Sequence, residues 1–344
     1  MEEYDVLIVG GGPASSAAAI HATALGLKAC IIEREIFPRD RPGETLHPGV
    51  EPLLKQLGIL ESIHAANFVR HSGVKVSWLG PLEYQPYNKN SDEEWLGFQA
   101  HRRIFDNILI NRAKELGVDV KMGCSAESLI IDKDQVKGIT VNNEDLTAHY
   151  VLDGSGNWHW LARQLKIPFA KYSKELFVRY GYMTGQSSTI DNLPSIIADS
   201  DGWTWIAKIG NNLFQWTRLS LQGNKISSTW LPEELSSLTA IGSSKGADVT
   251  WRIAAQLAGP GFYLIGDAAA VLDPASSHGV LRALMSGIQA ADLIVHTLNK
   301  KCPETAAIEM YHTRMRSWFK HDVIKLQELY NIFDICPTNK EEIS

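Results

Sequence analysis

The chain has 344 residues, enough for two domains or one large domain with insertions, and its 44% hydrophobic and 21% charged residues allow a full core to be buried. A net charge of -6 argues against a nucleic-acid partner, and no uninterrupted apolar run reaches the length of a membrane span. Cys30, Cys124, Cys302 and Cys336 are far apart with no histidine at ligand spacing, so they read as reduced thiols and not as a disulfide framework or a metal site. The start Met-Glu-Glu leads directly into a strand pattern, so no signal peptide is expected and the location is expected to be cytoplasmic.

The chain order begins with an apolar run, Val6 to Val9, followed by Gly10, Gly11 and Gly12. A helix pattern then runs from Pro13 to Leu25, Gly26 ends it, and a second apolar run from Ala29 to Ile32 stops at Glu33. Strand, tight turn, helix, strand and acid in that order make a dinucleotide-binding unit. Gly10 allows the sharp turn and Gly12 lets the backbone approach a pyrophosphate. The helix start at Pro13, Ala14 and Ser15 presents the free N–H groups that follow the proline to the phosphates. Glu33, with Arg34 beside it, is placed to bind ribose hydroxyls. Where the fingerprint has its third glycine this chain has Ser15, and a slight loosening of helix against strand is expected.

A loop with proline and glycine follows, residues 37–48, in which Gly43 permits close approach to a ligand and Arg41 and Glu44 are polar groups expected near the first helix. Helical spacing covers Val50 to Leu60, residues 73–79 alternate as a strand, 81–94 read as a loop and 95–99 as a returning strand. Residues 104–117 read as a helix, 118–122 as a strand, 127–132 and 136–141 as a hairpin, and 149–153 as a strand running into Gly154-Ser155-Gly156. From Leu176 to Trp230, ISSTWL at its end included, the pattern becomes period-2 and aromatic, which predicts a mostly antiparallel sheet. The α/β pattern resumes at 261–267, helices are expected at 279–299 and 304–333, and 337–344 reads as a disordered tail.

These elements predict an α/β fold. A Rossmann-like nucleotide domain comprises 1–72, 100–170 and 247–299. An inserted β-sheet substrate domain comprises 73–99 and 171–246. A C-terminal helix, 300–336, and the tail, 337–344, complete the chain. The fingerprint alone does not separate FAD from NAD. The stretch YLIGDAAAVLDPASSHGV, residues 263–280, adds Asp267 at a strand end, where it would accept from a ribityl hydroxyl, then Asp273-Pro274 and a helix start at Gly279. Arg102 opens a helix, where a cation invites an anionic partner, although its spacing also suits an ordinary pair with Asp106. His278 is a candidate acid/base, with a loop histidine bonded to backbone as the plainer alternative. Trp203, Trp205 and Trp216 are either sheet packing or the lining of an indole pocket.

GGGPASS, RPGETLHP, RRIFDNIL, LDGSGNWHWLARQLKI and GPGFYLIGDAAAVLDPASSHGVLRALMSG occur in that order. Together they resemble the FAD-dependent monooxygenase superfamily of p-hydroxybenzoate hydroxylase and the tryptophan halogenases. DVTWRIAAQLAGPGFYLIGDAAAVLDPASSHGV is similar, more narrowly, to the short flavoproteins that mature cysteine tryptophylquinone oxidases of the glycine oxidase and lysine ε-oxidase type. The resemblance implies FAD held by Gly10, Gly12, Pro13, Ala14, Ser15, Glu33, Arg34, Arg41, Glu44, Arg102, Asp267, Pro274 and Gly279, with Asp153-Gly154 as the second motif. It implies O2 as co-substrate, an external reductant such as NAD(P)H, and hydroxylation of a tryptophan side chain in an oxidase precursor. The alternatives are a small-molecule aromatic hydroxylase or halogenase, or a flavin-binding assembly chaperone. Three departures weigh against halogenation: the halogenases' W-x-W-x-I-P is Trp203-Thr204-Trp205-Ile206-Ala207 here, their catalytic lysine is placed on no residue of this chain, and the chain is much shorter than a halogenase.

Overall fold

A computed structural model describes residues 3–78, 80–88, 95–221 and 225–331. Val6 to Val9 fall in the strand Glu3–Val9, and all four are buried because this strand lies mid-sheet with helices over it. Ala29–Glu33 pairs with it in parallel on one side and Glu144–Asp153 on the other. Asp119–Met122 lies beyond the former and Phe262–Leu264 beyond the latter, again in parallel. Read across the sheet, these parallel strands come third, second, first, fourth and fifth in chain order. The order reverses between the first and the fourth, and ligands of open α/β sheets bind at that reversal. The hairpin Ala126–Asp132 and Gln135–Val141 joins antiparallel to Glu144–Asp153.

The helices Pro13–Ala24 and Gly279–Leu298 pack face to face. The alanine run makes this possible: Ala17, Ala18 and Ala19 are fully buried, and a methyl group at Gly287 would lie 2.2 Å from the Ala14 carbonyl oxygen. The region 50–60 differs from the single helix its spacing predicts. Gly58, at φ +68°, separates the helices Glu51–Gln56 and Leu60–Ala65.

A second sheet has seven strands in the order Thr239–Asp248, Phe177–Thr184, Leu213–Ser220, Gly202–Gly210, Ser195–Asp199, Gly73–Trp78 and Glu83–Pro86. All its pairs are antiparallel except Ser195–Asp199 with Gly73–Trp78. Both edge strands lie where no strand is expected from sequence, and residues 226–231 form none, contrary to expectation. Gly97–Gln99 pairs not here but in a small sheet with Thr45–Leu46 and Val69–His71. One face of the large sheet puts Val178, Trp203, Trp205 and Leu219 into the main core. The other puts Met183, Ile206, Phe214 and Trp216 into a separate cluster with Leu235.

The helix Glu304–Asn331 buries Tyr311, Met315, Val323, Leu326 and Tyr330 as one stripe. Phe333, Cys336 and the tail 337–344 lie outside the described residues. Among the described residues Cys30, Cys124 and Cys302 form no disulfide, no cluster of metal-ligating side chains is present, and no helix is long and apolar enough to cross a membrane.

Candidate active site

The crevice opens where the sheet order reverses. Gly154 N–H donates to the Val9 carbonyl, 2.9 Å, so the two strand ends are joined just below it. Gly10 sits there at φ +98°, and a methyl group on it would meet Gly154 O at 2.5 Å, so no larger residue fits the turn. A methyl group on Gly154 would in turn meet Ser15 Oγ at 2.0 Å. Gly154 thus leaves the room that the Ser15 side chain fills at the fingerprint's third-glycine position. The Ser15 side chain is buried and does not line the cavity.

The crevice belongs to a cavity of about 550 Å³. Gly10, Gly12, Pro13, Ala14, Glu33, Arg34, Arg41, Glu44, Arg102, Asp267, Pro274 and Gly279 all line it, so of the residues expected to hold a cofactor only Ser15 stands apart. Glu33 accepts from Gly11 N at 2.6 Å and Glu35 N at 2.8 Å, which fixes its carboxylate at the end of its strand. Arg34 stacks 4.9 Å over the Trp158 ring. Arg41 pairs with Glu35 at 2.6 Å. Arg102 both lines the cavity and makes the pair its spacing allows, holding Asp106 through Nε at 2.7 Å and Nη2 at 2.9 Å.

Carboxyls along the cavity have raised pKa values. Glu44 lies at the cavity wall, accepting from Tyr182 Oη at 2.5 Å and Gly43 N at 2.8 Å. Burial raises its carboxyl to about 7 against the opposing pull of the Tyr182 hydrogen bond and Arg102. Asp273 accepts from Trp251 Nε1 at 2.8 Å, Tyr330 Oη at 2.9 Å and Ala275 N at 2.9 Å, and Tyr330 Oη itself accepts from Trp203 Nε1 at 2.7 Å. This one carboxyl, raised to about 6 by burial, ties the Pro274 loop to the C-terminal helix and the large sheet. Asp267 lines the cavity with its side chain exposed there, and desolvation by the surrounding protein raises its pKa, with Arg102 and Arg252 opposing.

His278 is the N-cap of the helix Gly279–Leu298 but does not line the cavity; its ring stands edge-on to His47 at 5.2 Å, and burial lowers its pKa to about 4. It is therefore neutral at physiological pH. Of the three tryptophans, Trp205 lines the cavity, Trp203 is bound to Tyr330, and Trp216 lies on the far face of its sheet. Sequence reasoning missed Arg39. Its guanidinium lies beside the phosphate turn, with Nη2 3.8 Å from where a Gly12 methyl would be, and its buried Nε and Nη1 have no hydrogen-bond acceptor. The only available sign was an arginine six residues after the ribose-binding acid.

A glycine cradle that a methyl group would fill, orphaned arginine donors beside it and a carboxylate further along fit an FAD: pyrophosphate at Gly10–Ala14 and Arg39, ribose at Glu33, ribityl chain at Asp267. The fold and site define a dinucleotide-dependent α/β protein with a second sheet closing the cofactor cleft. The family model described as "FAD binding domain" matches residues 3–211, and the chain belongs to that family. The chain is 27% identical to the tryptophan 2-halogenase of Chondromyces crocatus over 361 residues, 95% of this chain and 68% of that protein. It is 28% identical to the 1H-pyrrole-2-carbonyl peptidyl-carrier-protein brominase of Pseudoalteromonas luteoviolacea, covering 87% of this chain and 79% of that one. In fold it is similar to the myxobacterial chondrochloren halogenase, with a TM-score of 0.88 and 22% identity over 99% of this chain and 84% of that chain. The chain is accordingly an FAD-dependent oxidoreductase, with a fold similar to that of the halogenases.

Proposed function

We propose that this protein oxidises an electron-rich aromatic ring, by halogenation or hydroxylation, with FAD as cofactor and O2 as oxidant. The observation that carries the reading is the continuity of one cavity. The nucleotide crevice runs without a partition into a space walled by Val178, Trp205, Val249, Leu272 and Phe319. Bound FAD, once reduced from outside, supplies the oxygen chemistry. The protein's part is to hold the pyrophosphate on the Gly10 turn and Arg39, to fix the Pro274 loop through Asp273, and to bury the ring among apolar side chains that exclude water. Glu44, with its pKa near 7, is able to hold or release a proton at the cavity wall beside Tyr182.

The relatives' activities support halogenation. The cavity supports hydroxylation, because no lysine lines it among the described residues. A finer reading, hydroxylation of a tryptophan side chain in the precursor of a quinone-cofactor oxidase, rests solely on the resemblance of residues 248–280 to the maturation flavoproteins. The test is product mass. FAD-loaded protein with NADH, a flavin reductase, O2 and indole is assayed in halide-free buffer and again with bromide. An oxygenated ring in both buffers supports hydroxylation, and a brominated ring only with bromide supports halogenation. Consumption of O2 with the ring intact under both conditions, for indole and for a tryptophan-containing precursor alike, refutes the proposal.

A further inference from the structure

The strand Phe177–Thr184 carries Val178, Tyr180 and Tyr182 on one face of the large sheet. Tyr180 stands in register with Thr217 of the next strand, and Thr217 with Trp205 of the one after. Tyr180, Thr217 and Trp205 thus form a row across three strands, and all three line the cavity together with Val178 and Val249. The donors around this row are committed. Tyr182 Oη donates to Glu44 Oε1 at 2.5 Å, and Trp205 Nε1 donates to Thr45 Oγ1 at 3.2 Å. Gln215 Nε2 donates to the Trp216 carbonyl at 3.0 Å and to Thr217 Oγ1 at 2.7 Å. Tyr180 is buried too, at 8% exposure, yet its hydroxyl makes no hydrogen bond to any described residue. It feels the charges of Arg41, Glu44 and Glu35 at the border with the nucleotide half. Burial raises its pKa against the pull of Arg41, so at neutral pH it is an uncharged hydroxyl that both accepts and donates.

We infer that Tyr180 orients the substrate ring, by accepting a hydrogen bond from an N–H or O–H conjugated with the ring that is oxidised. This inference rests on the ring-oxidation reading and names the residue of that site that selects among rings. A ring lying against Val178 and Trp205 takes water away from the Tyr180 hydroxyl. The hydroxyl is then left unpaired unless the ring brings a partner, and a buried unpaired hydroxyl is costly. The heteroatoms that make a ring electron-rich, an indole or pyrrole nitrogen or a phenol oxygen, carry such a hydrogen. Packing against the wall fixes the plane of the ring, and the one bond to Tyr180 fixes its rotation within that plane.

The test is calorimetric titration of FAD-loaded wild-type and Tyr180→Phe protein with two pairs of similar shape, indole with benzofuran and phenol with fluorobenzene. The hydroxyl holds no described residue, so Tyr180→Phe keeps the packing of the folded protein. Wild type is expected to bind the N–H or O–H member of at least one pair at least about tenfold more tightly than its partner. In Tyr180→Phe that ratio is expected to fall within about threefold, with FAD affinity unchanged. Equal binding within both pairs by wild type, or a preference that survives in Tyr180→Phe, overturns the inference; if indole is still converted to a ring product, the ring-oxidation reading stands without it. Weakened FAD binding by Tyr180→Phe assigns the hydroxyl to the cofactor and likewise overturns the inference. Absence of binding by all four probes, with indole also unconverted, overturns both.

Discussion

Replacing Arg39 by Met isolates the residue that the structure adds to the cofactor site. In the folded protein the guanidinium is buried, with Nε and Nη1 free of hydrogen-bond acceptors and Nη2 facing the Gly12 turn. Its ionic contacts are loose, 3.7 Å to Glu35 and 3.5 Å to Asp106. Both carboxylates keep closer partners when it is removed: Asp106 retains Arg102 at 2.7 Å and Glu35 retains Arg41 at 2.6 Å. Methionine preserves the apolar stem, so what is lost in the cofactor-free protein is mainly the contact with the Phe37 ring at 4.6 Å, worth less than about 1 kcal/mol. With FAD bound, the loss includes at least one charge-assisted hydrogen bond to pyrophosphate, about 1.5–3 kcal/mol, which is roughly 10- to 150-fold in affinity. Titration of deflavinated wild-type and variant protein with FAD, alongside urea unfolding of both, separates the two effects. An affinity within about threefold of wild type at unchanged stability refutes the assignment of Arg39 to the pyrophosphate.

Other consequences follow from the same contacts. Tyr330→Phe removes a donor to the Asp273 carboxylate and strands the Trp203 N–H; together these cost about 2–4 kcal/mol in chemical unfolding, and a loss below about 1 kcal/mol contradicts the account of the C-terminal helix as tied down by that carboxylate. Glu44 has its folded pKa raised to about 7 from 4.5, so the folded state binds the extra proton between those values, and the stability cost of its charge is absent below 4.5 and complete above 7. Wild type should therefore gain on Glu44→Gln by on the order of 3 kcal/mol as pH falls from 7 to 4.5, and parallel pH profiles of unfolding contradict the raised pKa. Asp267→Ala should weaken FAD binding without altering the fold, seen as flavin lost on gel filtration with an unchanged circular dichroism spectrum.

The fold was most legible where local chemistry is compulsory. Gly10 at φ +98° and the buried strand before it leave few other arrangements, so residues 3–34 read directly. The edge strand Thr239–Asp248 was illegible because it is exposed along most of its length, and with no buried face there is no alternation to read. Alternation placed Trp203, Trp205 and Trp216 in a sheet but did not separate Trp216 from the other two, because the faces depend on strand register and on how the sheet docks. Arg39 sits in an aperiodic loop, and the room that Gly154 leaves for Ser15 involves residues far apart in sequence. Such pairings emerge only when the sheet order brings the strand ends together.

The central claim is tested most directly in a single turnover. FAD-loaded protein is reduced without air, mixed with oxygenated buffer containing indole or N-acetyl-L-tryptophanamide, with and without bromide, and quenched for mass spectrometry as the flavin reoxidises. The account predicts an oxygenated or brominated ring that accumulates in step with flavin reoxidation. Flavin reoxidation that yields only hydrogen peroxide, with every ring recovered intact, would contradict it.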